Sequence, residues 1–297
     1  MFLMLLPMLA CGQARQGGQA GQAGQDQPEA PLWVTSPADS LLAERVMAEL
    51  APHAGEPVPA LMVRAGKALE GQPYVAGTLD EAPAGQPAEA GAWHEELRIY
   101  LTRTDCIIFV ETCLALARTA AQGGDFETFA NEIRQSRYRD GRVESYADRL
   151  HYTTEWARQG EVRGVLKDIT DDLGGVPLDH PISFMSKHPE SYPLMDDVAA
   201  IREIEDRLNA EPRHYIPKNR VTQALDGIKS GDIICLVTSV EGLDISHVMM
   251  AIVEKPGTVR LLHASTGPMK VVMDSRTLPE YLTGRSSVTG IQILRPL

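Results

Sequence analysis

Asp105-Cys106-Ile107-Ile108-Phe109-Val110-Glu111-Thr112-Cys113-Leu114-Ala115-Leu116-Ala117-Arg118-Thr119-Ala120 is the stretch on which the reading of the fold turns. Ile107, Val110, Leu114 and Ala117 recur at three- and four-residue spacing, which is one face of a helix. Asp105 has the short acceptor side chain that caps such a helix. Cys106 therefore falls in the first helical turn, where unpaired backbone N–H groups and the positive dipole end favour a thiolate and can hold an oxyanion. Free cysteine is also among the most buried residue types, so position alone leaves its role open.

Working outward, the texture changes after Gly231 to short β-rich runs: Asp232–Thr238, His247–Glu254, Val259–Ala264, Lys270–Met273 and Val288–Leu294. Their close spacing favours an antiparallel meander or small barrel, because parallel crossovers need a dozen or more residues. The expected class is α+β, with the Cys106 helix packed on a C-terminal sheet and a long middle segment at about 121–228. Upstream, Leu41–Leu50 and Leu61–Leu69 predict helices, and Glu81–Gly91, rich in Ala, Pro and Gly, predicts a loop. Leu194–Leu208 predicts another helix, with Val198, Ile201, Ile204 and Leu208 on one stripe and Glu203, Glu205 and Asp206 on a solvated face.

The 297 residues are 43% hydrophobic and 23% charged, as in a globular protein, and the formal charge of −12 argues against nucleic acid as a partner. The cysteines at 11, 106, 113 and 235 form no CxxC pair. On one helix Cys106 and Cys113 stand roughly 10 Å apart, beyond disulfide reach, so separate thiols are expected. Residues 1–11 read as an export segment, because Met1–Ala10 is apolar but too short to span a bilayer. Cys11 ends a stretch resembling a lipoprotein box, which would anchor the chain to a membrane. Residues 12–31, almost all Gly, Gln, Ala and Pro, read as a flexible tether, leaving 32–297 as the folded domain.

His247 opens a strand directly after the turn-like Gly242–Ser246, and His263 lies in the next strand. In adjacent antiparallel strands the two can be neighbours, so that His263 fixes the tautomer of His247. His151 and Glu155 are four apart, but no HExxH motif or close His/Cys set accompanies them, so no metal is expected. His180, His188 and His214 sit among Pro-rich loop signals and read as solvated.

Several motifs occur in a telling order: Gly71-Gln72-Pro73-Tyr74, Asp105-Cys106 before Phe109-Val110-Glu111, Gly231-Asp232, Ser246-His247-Val248 and Leu262-His263-Ala264. In this order the chain resembles the NlpC-type papain-like cysteine peptidases. Tyr74–Leu79, His151–Trp156 and Gly242–His247 narrow the likeness, from about Leu61 to the C-terminus, to the N-acetylmuramoyl-L-alanine amidase-like branch. The resemblance implies that Cys106 attacks an amide carbonyl, His247 acts as general base and acid, and His263 orients His247. It places Tyr74 at the oxyanion site, with Asp105, Ser246, His151 and Trp156 as oxyanion or substrate-binding positions. It implies no cofactor, peptidoglycan fragments as substrate, and residence in the periplasm or on the outer membrane of a Gram-negative bacterium. The implied scissile bond joins N-acetylmuramic acid to L-alanine. The alternatives are a muropeptide endopeptidase, a thiol acyltransferase and a non-catalytic muropeptide-binding lipoprotein. The chain departs from the pattern at Ile107 and Ile108, where Ser or Thr is usual, and at Met249, where glycine is usual.

Overall fold

The computed structural model describes residues 33–81 and 94–297. The expected export segment, Cys11, the tether and most of the Glu81–Gly91 loop lie outside the described residues.

β1 (Val34–Thr35) leads into α1 (Pro37–Leu50), whose first turn is capped where Ser36 Oγ accepts from the Asp39 N–H at 3.1 Å. α2 (Val58–Ala68) follows, and β2 (Arg98–Ile99) pairs in parallel with β1. α3 (Cys106–Gln122) is buried on nearly every side, the position a helix apolar all round must take. α4 (Phe126–Arg137) and α5 (Thr153–Val162) complete the helices around it. At Gly66 of α2 a Cβ would come within 2.9 Å of Leu262 and 3.3 Å of Phe109, so the missing side chain is what lets α2 close onto both sheet and α3.

The rest of the middle segment consists of β3 (Leu166–Asp168), β4 (Val176–Pro177), α6 (Phe184–Lys187), α7 (Val198–Asn209), β5 (His214–Pro217) and α8 (Val221–Ala224). Then come β6 (Ile233–Thr238), β7 (Ile245–Lys255), β8 (Thr258–Ser265), β9 (Lys270–Thr277), α9 (Leu278–Leu282) and β10 (Val288–Pro296). The architecture is α+β with an antiparallel sheet. Strands β6 to β9 run as a meander, while β10 returns to the far side of β6, giving the order β4-β5-β10-β6-β7-β8-β9 with β3 also on β10. Among the described residues no pairing of β4 with β9 closes this path, so the meander is present and the barrel is not.

Burial on both faces follows the strand alternation. Ile233, Cys235, Val237, Val248, Met250 and Leu262 pack with α1 to α4, whereas Ile234, Leu236, Met249, Ala251 and Leu261 pack under α8 and α9. The helix expected from Leu194 starts only at Val198, because Asp197 caps it by accepting from the Ala200 N–H. Glu205 is not solvated as its charge pattern suggests. It is 3% exposed and accepts from the Tyr152 hydroxyl at 2.7 Å and the Ser186 N–H at 3.0 Å, which satisfies a buried carboxylate.

Candidate active site

Cys106 begins α3, half-buried, while Cys113 and Cys235 are buried; all three are free thiols. Asp105 is the N-cap, its Oδ1 accepting from the Ile108 N–H at 2.9 Å. The N–H groups of Cys106, Ile107 and Val248 bear on the sulfur and favour its anion. They do not win. Burial, reinforced by the adjacent Asp105 charge, pushes the thiol up to about 12. Asp105, which caps the helix, uses one of its free N–H groups and sets a negative charge beside the sulfur, so the helix end acts on the thiol against both.

Tyr74 reaches the same helix end through backbone pairing. Its N–H donates to Met269 O at 2.9 Å, the Val75 N–H to Thr104 O at 2.8 Å, and the Thr104 N–H to Pro73 O at 3.0 Å, stapling residues 72–75 between β9 and the approach to α3. Burial first, then the neighbouring Cys106 and Asp105, raise the half-buried phenol to about 12, so it remains a donor.

His247 Nε2 lies 2.7 Å from His263 Nδ1, with the rings edge to face. His263 is wholly buried, its ring edge to face with Tyr281, and its Nε2 lies 3.6 Å from Asp274 Oδ2. Asp274 carried no signal in the sequence, since a carboxylate in a strand resembles any other. Ser246 is exposed, and its hydroxyl donates back to its own sheet, to Leu236 O at 3.3 Å. The turn before His247 is fixed by buried Asp244, which accepts from the Thr154 N–H at 2.8 Å and the Ile245 N–H at 2.7 Å. That bond joins the 151–156 and 242–247 stretches, which lie far apart in the chain. His180 supports the same turn from Nε2, 3.0 Å from both Val240 O and Leu243 O, so it is not merely solvated. His188 and His214 are half-buried beside Glu190 and Asp171.

Desolvation, followed by the charges of His263 and Arg285, holds His247 down at about 3. Desolvation also lowers His263, to about 4, against the raising effect of Asp274. An unfolded His263 protonates near 6.5, whereas the folded one stays neutral to about 4. The unfolded chain therefore binds the extra proton first as pH falls, and stability is lost through the window from 6.5 to 4. For this group the slope is on the order of 1 kcal/mol per pH unit. Urea midpoints should fall between pH 7 and pH 5, and less steeply in His263→Gln; equal slopes in the two proteins would contradict this.

A cavity of about 180 Å³ adjoins the start of α3, lined by Asp80, Asp105, Ile107, Arg149, His151 and Trp156 among others. Buried Trp156 donates from Nε1 to Ser136 Oγ at 3.0 Å, and His151 Nε2 lies 2.8 Å from Tyr146 O. Glu155 is held by Arg139 and Arg207, so the structure does not join it to His151 as a ligand pair. Among the described residues no group of three or more His, Cys, Asp or Glu side chains is arranged to hold a metal ion. Two buried ion pairs back the cavity, Arg137–Glu111 at 2.8 Å and Arg149–Glu95 at 2.8 Å. Sequence reasoning missed both, because nothing local to either partner announces the other.

The family model described as N-acetylmuramoyl-L-alanine amidase-like matches residues 64–291. The chain belongs to the N-acetylmuramoyl-L-alanine amidase-like family. Among solved structures, this amidase-like chain is similar to an N-acetylmuramoyl-L-alanine amidase from Bacteroides uniformis, at 33% identity over 80% of this chain and 98% of that one, with a TM-score of 0.72. A second structure carrying that name and organism gives 34% identity, 81% and 99% coverage, and a TM-score of 0.72. A Legionella pneumophila protein at 20% identity, covering 88% of this chain and 95% of its own with a TM-score of 0.62, shares the fold alone. No curated protein matches.

Proposed function

We propose that this amidase-like chain is a cysteine hydrolase of the NlpC-type papain-like group. It cleaves the amide between N-acetylmuramic acid and L-alanine in peptidoglycan fragments. The observation that carries the reading is that the Val248 N–H, one residue after His247 on β7, bears on the Cys106 sulfur at the start of α3, while His247 is itself paired with His263, in a chain a third identical to proteins named for that amidase.

His247 Nε2 is engaged with His263, which leaves Nδ1 as the nitrogen available to the thiol. Because the thiol is raised and the imidazole lowered, the resting pair is neutral and Cys106 is activated only on attack. The sulfur adds to the lactyl carbonyl while its proton passes to His247 Nδ1. The oxyanion is met by the Cys106 N–H and the Tyr74 hydroxyl. Collapse breaks the C–N bond, and the His247 proton goes to the alanine nitrogen, which leaves as an amine. Water, deprotonated by His247, then releases the muramoyl carboxylate and restores the thiol.

Half-buried Ile107 and buried Ile108 line the cavity where related peptidases carry hydroxyls, which would leave a stem-peptide ammonium group fewer partners. Asp80, Asp105 and Glu111 also line it, but each already accepts from a donor: Arg149, the Ile108 N–H and Arg137 respectively. An amide substrate places a neutral nitrogen there. The envelope location, with Cys11 as lipid anchor, belongs to the same proposal.

Mass spectrometry of defined muropeptides incubated with the protein in EDTA tests the reading. The expected products are an intact sugar and a peptide with a free L-alanine amine. Sugar still carrying L-alanyl-D-glutamate would make the enzyme an endopeptidase, and loss of turnover to EDTA with recovery on zinc would overturn the thiol mechanism.

A further inference from the structure

We infer that Asp274 is a positioning residue for the His247–His263 pair, extending it to a Cys106–His247–His263–Asp274 chain that selects the tautomer of both imidazoles. This rests on the Cys106–His247 reading above and adds the element that decides which nitrogen of His247 carries the proton.

The geometry leaves little choice. His263 is 0% exposed, and its Nε2 is a buried nitrogen with no hydrogen-bond partner among the described residues; Asp274 Oδ2 at 3.6 Å is its one carboxylate neighbour. A carboxylate only accepts, so it favours the proton on His263 Nε2. His263 Nδ1 must then be a lone pair, and the 2.7 Å contact can form only if His247 Nε2 carries a proton and donates it. His247 Nδ1 is thereby left as a lone pair, the form a base toward Cys106 requires. With the opposite tautomers the His247 Nδ1 would hold its proton and could not take one from the thiol.

Asp274 is itself held rigidly. Arg276 donates to it from Nε at 2.9 Å, from a terminal nitrogen at 2.7 Å and from its backbone N–H at 2.9 Å, which keeps the carboxylate ionised. The charged and titratable groups around His263 are His247 on β7, Asp274 and Arg276 on β9, Tyr281 on α9, and Arg285. Arg276 and Arg285 both lie over the Tyr281 ring, so Asp274 is the acceptor among them. At 3.6 Å the contact is longer than a hydrogen bond, and catalytic hydrogen bonds are often long without substrate and tighten in the complex. Its effect should grow as His247 becomes an imidazolium, because the charge can then be shared toward Asp274.

Asp274→Asn preserves shape but offers an amide that can donate to His263 Nε2 and reverse both tautomers. We expect kcat to fall about 10- to 100-fold with KM within about twofold, and Asp274→Glu to recover part of the loss. Histidine ¹⁵N NMR reads the tautomers independently of turnover. Native protein should show His247 and His263 both protonated at Nε2, and Asp274→Asn should shift that population. Arg276→Gln, which removes the clamp but keeps the carboxylate, should show the native tautomers and a smaller loss of kcat. Unchanged tautomers in Asp274→Asn, or an equal loss in Arg276→Gln, would overturn the inference. Retention of turnover by Cys106→Ala would instead overturn the nucleophile, whatever the NMR shows.

Discussion

Cys106→Ala should reduce turnover by on the order of 10⁴-fold or more while the protein melts within a few degrees of the native chain. The size follows from the proposed mechanism, in which loss of the sulfur removes the acyl-enzyme and leaves water to attack a resonance-stabilised amide directly. Stability should change little, because the change removes a single sulfur atom and leaves the α3 cap, Asp105 to the Ile108 N–H, untouched. Cys113→Ala and Cys235→Ala should keep activity. Both thiols are buried, and burial pushes each well up, away from the reactive range. Alkylation by iodoacetamide should fall on Cys106, slowly at pH 7 and faster as pH rises, because its thiol is also raised. Essential alkylation at Cys113 would show the wrong cysteine has been assigned.

The second large effect concerns stability. Arg137 and Glu111 are 6% and 3% exposed; the guanidinium donates to Glu111 Oε2 through two nitrogens, at 3.0 and 2.8 Å, and to the Arg98 carbonyl. Glu111 lies on α3, five residues after Cys106, so this pair ties the helix that Cys106 begins to the end of α4 and to β2. Arg137→Met leaves a carboxylate buried without a counter-charge, a loss of about 3–5 kcal/mol. In a domain of this size the melting temperature should drop by about 10 °C. Removing both charges, as Arg137→Met with Glu111→Leu, should restore much of the loss, since what costs most is the orphaned ion rather than the missing bond. Thermal unfolding of the three proteins checks this; a single variant within about 1 kcal/mol of native would show that water reaches Glu111.

What the sequence disclosed and what it withheld divide along physical lines. α3 and its Asp105 cap were legible because apolar spacing and a capping side chain are local signals. The runs that became β6 to β10 were legible for a similar reason, as short β-rich segments between turns. β3, β4 and β5 were not, since strands of two to four residues show no period and owe their conformation to pairing with β10 or with one another. At Cys106 two influences oppose each other, and only one of them is local. The helix end argued for an anion, whereas burial and the Asp105 charge oppose it, and burial is a property of the fold. Asp244, Asp274 and the Arg137–Glu111 pair were invisible for a related reason: each acquires its role from a partner that only the folded chain brings to it.

The measurement that bears most directly on the central claim is rapid-quench intact-mass and peptide-mapping spectrometry of the native protein turning over an N-acetylmuramoyl-L-alanyl peptide. A transient muramoyl thioester is expected on the peptide that contains Cys106, absent from Cys106→Ala, with the L-alanyl peptide already released. Turnover with no covalent species at the quench, together with retained activity in Cys106→Ala, or an adduct on another residue, would contradict it.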